Sequence, residues 1–273
     1  AQQIPSIGNL TEGLYVVTVT DANGCSVVNS VLINEPDPFL ITDSIVPTKC
    51  SYSADGAVYI TLTGATPGYL YSWSNSTNNQ NLVGVAKGNY GLVVTDNNGC
   101  SFAQTFTVTG PIDIVSSIAG NDPGCHGDAT GFAVVSAGGG TVPYSYLWST
   151  NPTQSGVMGV HLSGNVPYDV TITDGNGCTA TNSVQLNDPT QVVVSTVPDS
   201  VKCFNGNDGT VVIHASGGAG TYQYSLNNVY QQDSILTGLI AGEYTAIAQD
   251  DNGCFGATNF TISQPTAIVV SAG

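Results

Sequence analysis

Short stretches of alternating apolar and polar residues recur along the whole chain. Residues 16–20 (VVTVT) and 170–173 (VTIT) are examples, and each leads into Asp, Asn and Gly. This alternation is typical of half-buried β-strands, and Asn-Gly predicts a hairpin because both central residues of a type I′ turn need a positive φ. No window repeats its apolar residues every 3.6 positions, so the sequence predicts an all-β fold with essentially no helix.

A five-residue motif, Asp-x-Asn-Gly-Cys, sets the period of the chain. Its cysteines lie 75, 78 and 76 residues apart, and prolines recur in phase after them at Pro36, Pro111, Pro189 and Pro265. Such self-similarity indicates tandem repeats. The motifs occupy residues 21–25, 96–100, 174–178 and 250–254.

Three complete repeats follow from this period, at residues 37–111, 112–189 and 190–265. Residues 1–36 hold the C-terminal part of a truncated repeat, and residues 266–273 hold the first strand of the next one. A half-sandwich would expose its core face and its strand edges. We therefore expect the natural chain to continue in both directions.

Aromatic residues predict the architecture of each repeat. Rows of alternating aromatics end in Trp73 and Trp148, and in the third repeat Leu226 takes the place of the Trp. A tyrosine also precedes each Asn-Gly turn, as in the tyrosine corner of immunoglobulin-like sandwiches. The prediction is a series of tandem immunoglobulin-like antiparallel β-sandwich repeats, with structural tyrosines at Tyr15, Tyr90, Tyr168 and Tyr244.

The composition of the chain excludes some classes of binding partner. Charged residues make up 8% of the chain, and the formal net charge is −16 with only three basic residues, Lys49, Lys87 and Lys202. Binding to nucleic acid or to an anionic membrane is therefore not expected. No apolar run reaches the roughly 18 residues of a membrane span, and no signal peptide is visible at Ala1. An uncharged polar surface of this kind is typical of extracellular repeat proteins.

The second complete repeat combines a recurring set of residues: Cys125, Gly138, Gly139, Pro143, Tyr144, Tyr146, Trp148, Tyr168, Asp174, Cys178 and Pro189. This combined motif resembles the SprB-type repeat of gliding-motility adhesins of Bacteroidota. The second complete repeat shows it best, and Leu226 in place of Trp is a departure in the third. The resemblance implies a cell-surface protein exported by the type IX secretion system that contacts neighbouring repeats or subunits, a surface polysaccharide or a substratum.

Catalytic chemistry is not indicated. Of the three histidines, His126 and His161 lie far apart in the sequence of the second repeat and His214 lies in the third, and glutamate occurs only three times. No HExxH, GxSxG or phosphate-cradling loop is present. We therefore expect a structural and adhesive, non-enzymatic repeat region of a secreted bacterial cell-surface filament.

An array of Ca²⁺-dependent carbohydrate-binding modules is the alternative. Aspartates recur in the turns and, as Asp55, Asp128 and Asp208, before a strand, and loop carboxylates suit Ca²⁺. Turn capping by Asp and Asn is the favoured interpretation, since one carboxylate per turn is too few for a tight site. The Tyr/Trp rows could likewise form a sugar-binding platform, but core packing is favoured for them because a repeat of this size needs its apolar residues inside. No bound cofactor is expected.

Three Asp-Ser-aliphatic triplets are candidates for O-glycosylation, a modification common in the bacteria that carry such repeats. The serines of these triplets are Ser44, Ser200 and Ser234.

Seven cysteines in a secreted chain predict disulfides, but their number leaves three pairing patterns open. Pairing within repeats gives Cys50–Cys100, Cys125–Cys178 and Cys203–Cys254, and it is the pattern that loop-closure entropy favours. Pairing across boundaries gives Cys25–Cys50, Cys100–Cys125 and Cys178–Cys203. Stacked repeats would instead allow Cys50–Cys178 and Cys125–Cys254. We expect pairing within repeats.

Overall fold

The structure is a computed structural model that describes residues 6–227 and 229–271. Within this part of the chain the regular elements are all strands, and every paired strand runs antiparallel to its neighbour. The all-β prediction is confirmed. The chain divides into two compact units, residues 1–113 and 114–273, and each is described by itself.

Unit one begins with a two-stranded hairpin, β1 (Gly13–Thr20) and β2 (Ser26–Ile33). The register is continuous from Gly13 opposite Ile33 to Thr20 opposite Ser26. Most of the large apolar side chains on both strands are exposed.

An immunoglobulin-like sandwich completes unit one. One sheet has the order β3-β4-β6 and the other the order β5-β7-β8. Alternate residues point inward, so that Val58, Leu92 and Val94 are at most 1% exposed and form the core with Trp73 and Phe106. The strands are β3 (Leu40–Val46), β4 (Gly56–Thr63), β5 (Leu70–Trp73), β6 (Leu82–Val85), β7 (Gly88–Thr95) and β8 (Ser101–Val108).

Unit two contains two further sandwiches of the same plan. In the first, the sheets have the orders β13-β10-β9 and β12-β11-β14-β15, and the core packs around Trp148, Val170 and Ile172. Its strands are β9 (Val115–Asn121), β10 (Gly131–Gly138), β11 (Ser145–Trp148), β12 (Gln154–Ser155), β13 (Met158–Leu162), β14 (Pro167–Thr173) and β15 (Thr179–Gln185).

The other sandwich of unit two has the sheet orders β16-β17-β20 and β19-β18-β21-β22. Leu226 stands at the position of the tryptophan and is buried in this core with Val211, Ile213 and Ala246. The strands are β16 (Val193–Asp199), β17 (Gly209–Ser216), β18 (Tyr222–Leu226), β19 (Val229–Gln231), β20 (Ile235–Leu239), β21 (Gly242–Asp250) and β22 (Phe255–Ile262).

A glycine opens the second strand of every sandwich because the backbone approaches it closely. At Gly56, Gly131 and Gly209 a Cβ atom would lie 2.9, 2.7 and 2.7 Å from a carbonyl oxygen of the neighbouring strand. The register shifts at each of these positions. Each of these glycines therefore marks a β-bulge, where no side chain fits.

The hairpin turns differ from the type I′ prediction. In each turn only the glycine has a positive φ, of 84° to 87°, and the preceding Asn does not. In the turn at Asp174, the amide of Gly177 donates to the Asp174 carbonyl and the amide of Asp174 donates to the Cys178 carbonyl. This is a type I turn followed by a left-handed glycine, a common three-residue hairpin connection.

No helix long and apolar enough to cross a membrane occurs in residues 6–227 and 229–271.

The tryptophan core yields a stability prediction. Trp148 is 0% exposed, whereas its neighbour Leu147 is 53% exposed on the other face of β11. Trp148→Ala should destabilise this sandwich by about 3–5 kcal/mol through lost burial and the resulting cavity. Leu147→Ala should change stability by no more than about 0.5 kcal/mol.

Hydrogen exchange followed by mass spectrometry measures this effect for each sandwich separately. We expect faster exchange in β10, β11 and β14 of Trp148→Ala and unchanged exchange in β4 and β7. Equal protection of β14 in the two variants would contradict the assignment of Trp148 to the core.

Candidate functional site

The Asp-x-Asn-Gly-Cys turns are the chemically most elaborate feature that the repeats share. In each turn one oxygen of the Asp carboxylate accepts the backbone N–H groups of the Asn and the Cys. In the turn at Asp174 these bonds measure 2.9 Å from Asn176 and 2.8 Å from Cys178. The turns at Asp21, Asp96 and Asp250 make the same pair of bonds at 2.8–2.9 Å.

The second carboxylate oxygen reaches a different loop in the three complete sandwiches. Asp96, Asp174 and Asp250 each accept an N–H from the loop before the aromatic strand. The donors are Thr66 at 3.1 Å, Thr141 at 2.9 Å and Ala219 at 2.8 Å. These three aspartates are only 4–6% exposed. Each carboxylate therefore fastens two loops at the same end of its sandwich.

Opposing effects act on the pKa of the buried carboxylates. Burial raises the pKa of Asp96 and Asp174, but the backbone N–H groups that they accept outweigh it, and the pKa of each lies below its ordinary value. Hydrogen bonds to the charged form favour that form. The carboxylates are therefore ionised and satisfied by N–H donors, which supports turn capping as their role. Groups of three or more His, Cys, Asp or Glu side chains that could hold a metal ion do not occur in the described residues.

The loops that carry Cys50, Cys125 and Cys203 lie at the opposite end of each sandwich from the turns. Asp55 and Asp208 cap two of them by accepting the N–H groups of Lys49 and Lys202, each at 3.1 Å. The Ser53 hydroxyl and the Lys49 N–H lower the pKa of Asp55. Asp55 and Asp208 thus act as local caps, as the aspartates in the turns do.

One disulfide joins two successive sandwiches of unit two. Cys125 is bonded to Cys254, with their Cα atoms 5.5 Å apart and 129 positions apart in the chain. The Cys254 sulfur also lies 3.3 Å from the carbonyl oxygen of Gly124, and the Asn252 amide lies 3.4 Å from the same oxygen. The cysteine loop of one sandwich therefore contacts the turn of the next.

The expected pairing within repeats is wrong for Cys125. Its loop precedes β10, whereas Cys178 lies in the turn that Asp174 fastens to Thr141 beyond the far end of β10. An eight-residue strand spans about 26 Å, and disulfide Cα atoms must come within about 7 Å. Cys50 and Cys178 each take part in a disulfide as well, whereas Cys25, Cys100 and Cys203 are free and exposed. Cys100 and Cys203 thus differ from the expectation that both are paired.

The tyrosines before the turns fix the entry of each hairpin. The hydroxyls of Tyr15, Tyr90 and Tyr244 donate to the carbonyl four residues upstream at 2.9–3.0 Å. Tyr168 differs, because its hydroxyl accepts the N–H of Ser163 at 3.0 Å across a longer loop. Three bonds that the sequence did not predict come from Tyr69, Tyr144 and Tyr222, which donate to the carbonyls of Gly64, Gly139 and Gly217.

The tryptophans of the aromatic rows are buried and do not form a platform. Trp73 and Trp148 are 2% and 0% exposed, and their ring N–H groups donate to the carbonyls of Asn79 and Gly156. An aromatic ring that is buried and hydrogen-bonded in this way presents no face to a sugar. Core packing is therefore the role that their positions support.

Comparison with known families gives three matches, all to the SprB repeat, over residues 42–78, 119–153 and 195–230. The chain contains three SprB repeats. Each match begins in the first strand of a sandwich and ends beyond the aromatic strand. The Asp-x-Asn-Gly-Cys turns lie outside the matched residues.

Solved structures with some similarity to these SprB repeats are tandem Ig domains. The N-terminal eight Ig domains of Down Syndrome Cell Adhesion Molecule share 10% identity at a TM-score of 0.29, covering 93% of this chain and 51% of that one. The N-terminal four Ig domains of Dscam1 isoform 9.44 share 11% at a TM-score of 0.26, covering 92% and 80%. The chain thus spans about half the length of the first structure, and similarity at this level carries no functional argument. No curated protein matches the chain.

The three serines of the glycosylation triplets lie in different surroundings. Ser44 is exposed on β3, and Ser200 is exposed with its hydroxyl 2.6 Å from that of Ser263. Ser234 is half-buried, and its carbonyl accepts the N–H of Ile213. The histidines are far apart in sequence, and of them His126 forms an ion pair with Asp188 at 2.8 Å when protonated.

The turn carboxylates predict a pH dependence for the SprB repeats. Because the folded pKa of Asp174 is lowered, its stabilising effect is complete above the unfolded value of about 3.9 and is lost as the pH falls through the folded pKa. Asp174→Asn should lower the unfolding temperature of the second repeat by several degrees at pH 7 and by much less at pH 2.

Asp169→Asn is the matched control, because the Asp169 carboxylate accepts no hydrogen bond within the described residues. Differential scanning calorimetry at the two pH values measures both variants. An Asp174→Asn effect of the same size at pH 7 and pH 2 would show that the charge of this carboxylate is not what stabilises the turn.

Proposed function

We propose that this chain is the structural and adhesive repeat region of a bacterial cell-surface filament and that it has no catalytic role. The observation that carries the proposal is the disulfide between Cys125 and Cys254, which joins one SprB repeat to the next. A joint of this kind serves a protein that must transmit force along its length. The repeats at 37–111, 112–189 and 190–265 are its units.

The Cys125–Cys254 disulfide closes a long loop, since its two cysteines are 129 positions apart in the chain. A loop of this size stabilises the folded chain by about 5 kcal/mol in the chain-entropy model. Under tension, the bond also keeps the residues between Cys125 and Cys254 from being drawn out as an extended chain. Repeats that contact only their neighbours can be added in any number, so such arrays extend far from a cell.

The surface of the repeats supports an extracellular location. Only three basic residues balance 19 acidic ones, and disulfides persist in oxidising compartments outside the cytosol. Because three segments match the SprB repeat, the proposal also includes export by the type IX secretion system and a part in gliding motility. Hydroxyl and amide side chains on such a surface suit contacts with a polysaccharide or a wet substratum.

Two experiments on the producing bacterium and the purified chain test the proposal. Antibodies against the chain should label intact, unpermeabilised cells, and beads coated with the chain should bind a polysaccharide surface more than beads coated with albumin. Labelling that appears only after permeabilisation would overturn the cell-surface role.

Chelation of Ca²⁺ distinguishes adhesion that needs no metal from the alternative, an array of Ca²⁺-dependent carbohydrate-binding modules. With the carboxylates of Asp96 and Asp174 capped by backbone N–H groups, bead binding should be the same in EDTA as in Ca²⁺. Binding that EDTA abolishes and Ca²⁺ restores would favour the carbohydrate modules instead.

O-glycosylation at Ser44, Ser200 and Ser234 is a further part of the proposal. Sugars on an uncharged surface would limit self-association of the arrays. Peptide mass spectrometry of the chain from its native host should find hexose-bearing peptides for the exposed Ser44 and Ser200. The same peptides without added mass at all three serines would contradict it.

A further inference from the structure

A histidine of the second repeat occupies a backbone position at which the other two complete repeats have glycine. His161 is the extra residue of the bulge between β10 and β13, and its φ is 56°. The bulge residues at the same place in the other sandwiches are Gly84 and Gly238, with φ of 70° and 77°. A residue with a side chain is strained in this left-handed region, whereas glycine is not. Strain of this kind is concentrated at functional sites, so the surroundings of His161 are a candidate site.

His161 lines a groove of about 550 Å³ on the outer face of the sheet β13-β10-β9. Phe132 and Met158, which are 38% and 44% exposed, line the same groove, and Val160 lies opposite Phe132 on the adjoining strand. Regular alternation after Val160 would turn the next side chain toward the core, but the bulge leaves His161 exposed. The groove is therefore mostly apolar, and Thr130 and His161 supply its polar side chains.

Two further residues of the groove distinguish the second repeat from the other two. Phe132 stands where they have a small side chain, and Thr130 stands where they have a capping aspartate. The hydroxyl oxygen of Thr130 still caps the loop, because it accepts the N–H of Gly124 at 3.0 Å, but it brings no charge to the groove. The aligned residues are Ala57 and Thr210 for Phe132, and Asp55 and Asp208 for Thr130.

The backbone of β13 is closed to a further strand beside this groove. The Gln154 side-chain amide donates to the Val160 carbonyl, and its oxygen accepts the Val160 N–H, each at 2.8 Å. Strand addition requires free backbone groups at the edge of a sheet. An extended peptide therefore has no backbone partner at Val160, and an occupant must bind through the side chains on the face of the sheet.

The size and the charge of the groove select the class of occupant. A stable protein interface takes about 20–30 residues on each side, whereas seven described residues line this groove. Its volume lies within the range of about 300–1,000 Å³ that is typical of small-ligand sites. The net charge of −16 repels an anionic ligand, and none of the described lining residues is acidic and could attract a cation. A small neutral group is the class that remains.

The ring of a neutral sugar matches the chemistry of the groove. One face of such a ring consists of C–H groups that pack on an aromatic side chain, and its edge carries hydroxyls. Phe132 presents the aromatic surface, and Met158 and Val160 extend it. The ring nitrogens of His161 have no partner within residues 6–227 and 229–271, so the imidazole is free to donate and accept. The Thr130 hydroxyl accepts one N–H and still has its own hydrogen to donate.

We propose that this groove of the second repeat is a binding site for a neutral glycan, with one sugar ring packed on Phe132 and its hydroxyls bonded to His161 and Thr130. The site gives the ligand class for the adhesive role proposed above and rests on that role. It also assigns binding to one repeat, because the first and third repeats have glycine in place of the histidine and no aromatic residue in place of Phe132.

The single methionine of the chain is a probe of this groove. Met158 is the only methionine, so labelling with carbon-13 at the methionine methyl gives one NMR signal, and it reports on the groove. We expect soluble fragments of at least one of dextran, mannan and galactan to shift this signal. Fragments of alginate, a polymer of acidic sugars, should not shift it. No shift with any of the three neutral probes, or a shift with alginate alone, would overturn the proposal.

Two substitutions introduce the residues that the third repeat has at the same positions. His161→Gly and Phe132→Thr should each weaken binding of the neutral glycan about fivefold or more, because a hydrogen bond or the aromatic surface is lost. His161→Gly should at the same time raise the unfolding temperature, since glycine relieves the left-handed strain. Weaker binding by a more stable protein is a result that a purely structural role of His161 would not give.

Tyr59→Val is the matched control for the loss of an exposed aromatic side chain. Tyr59 is 46% exposed on the corresponding strand of the first repeat, and Val134 stands at the aligned position of the second. This variant should bind the glycan as the unsubstituted chain does. Unchanged affinity in His161→Gly and Phe132→Thr, or an equal loss in Tyr59→Val, would overturn the proposal.

Beads coated with the same variants separate the site from the adhesive role. Beads carrying Phe132→Thr should adhere to the neutral polysaccharide less than beads carrying Tyr59→Val. Equal adhesion of the two would leave the adhesive role standing and overturn the site. A glycan that shifts the Met158 signal of a chain whose beads do not adhere would leave the site standing and remove the adhesive role.

Discussion

The structure of each complete repeat depends on one buried carboxylate, that of Asp96, Asp174 or Asp250. At Asp174 one oxygen holds the hairpin turn closed and the other holds the loop before the aromatic strand, so that two loops share one end of the sandwich. A neutral side chain could not accept as many N–H groups with both oxygens. Because the turn is fixed, its cysteine stands at a defined point on the end of the repeat. The joint between repeats requires that position.

The Cys125–Cys254 disulfide joins the two sandwiches of unit two, so they are not separately closed domains. The two kinds of cysteine lie at opposite ends of a strand about 26 Å long, so a repeat cannot bond its own pair. Each can bond only to a cysteine outside its repeat, as Cys125 does to Cys254. A disulfide that crosses the boundary holds two cores together, whereas one within a repeat would stabilise a single core and leave the boundary weak.

The sandwich cores tolerate change where packing is adjustable. Leu226 replaces tryptophan in the third repeat and is still 7% exposed, next to Ala246 in place of a larger residue. The bulge glycines are not adjustable in this way, because a Cβ atom at Gly131 or Gly209 would meet a carbonyl oxygen at 2.7 Å. Side-chain volume can be redistributed among neighbours, but a backbone contact of this kind admits no substitute.

The sequence by itself determined the strands, the repeat period and the all-β fold, because two-residue alternation and turn residues are local signals that need no partner. It also identified the turn aspartates as capping residues, and Trp73 and Trp148 as core. Only the tertiary structure decided which cysteines meet and that the turns are not type I′. A cysteine pair depends on which ends of a sandwich lie together, and that follows from long-range contacts such as Asp174 with Thr141 that no local pattern encodes.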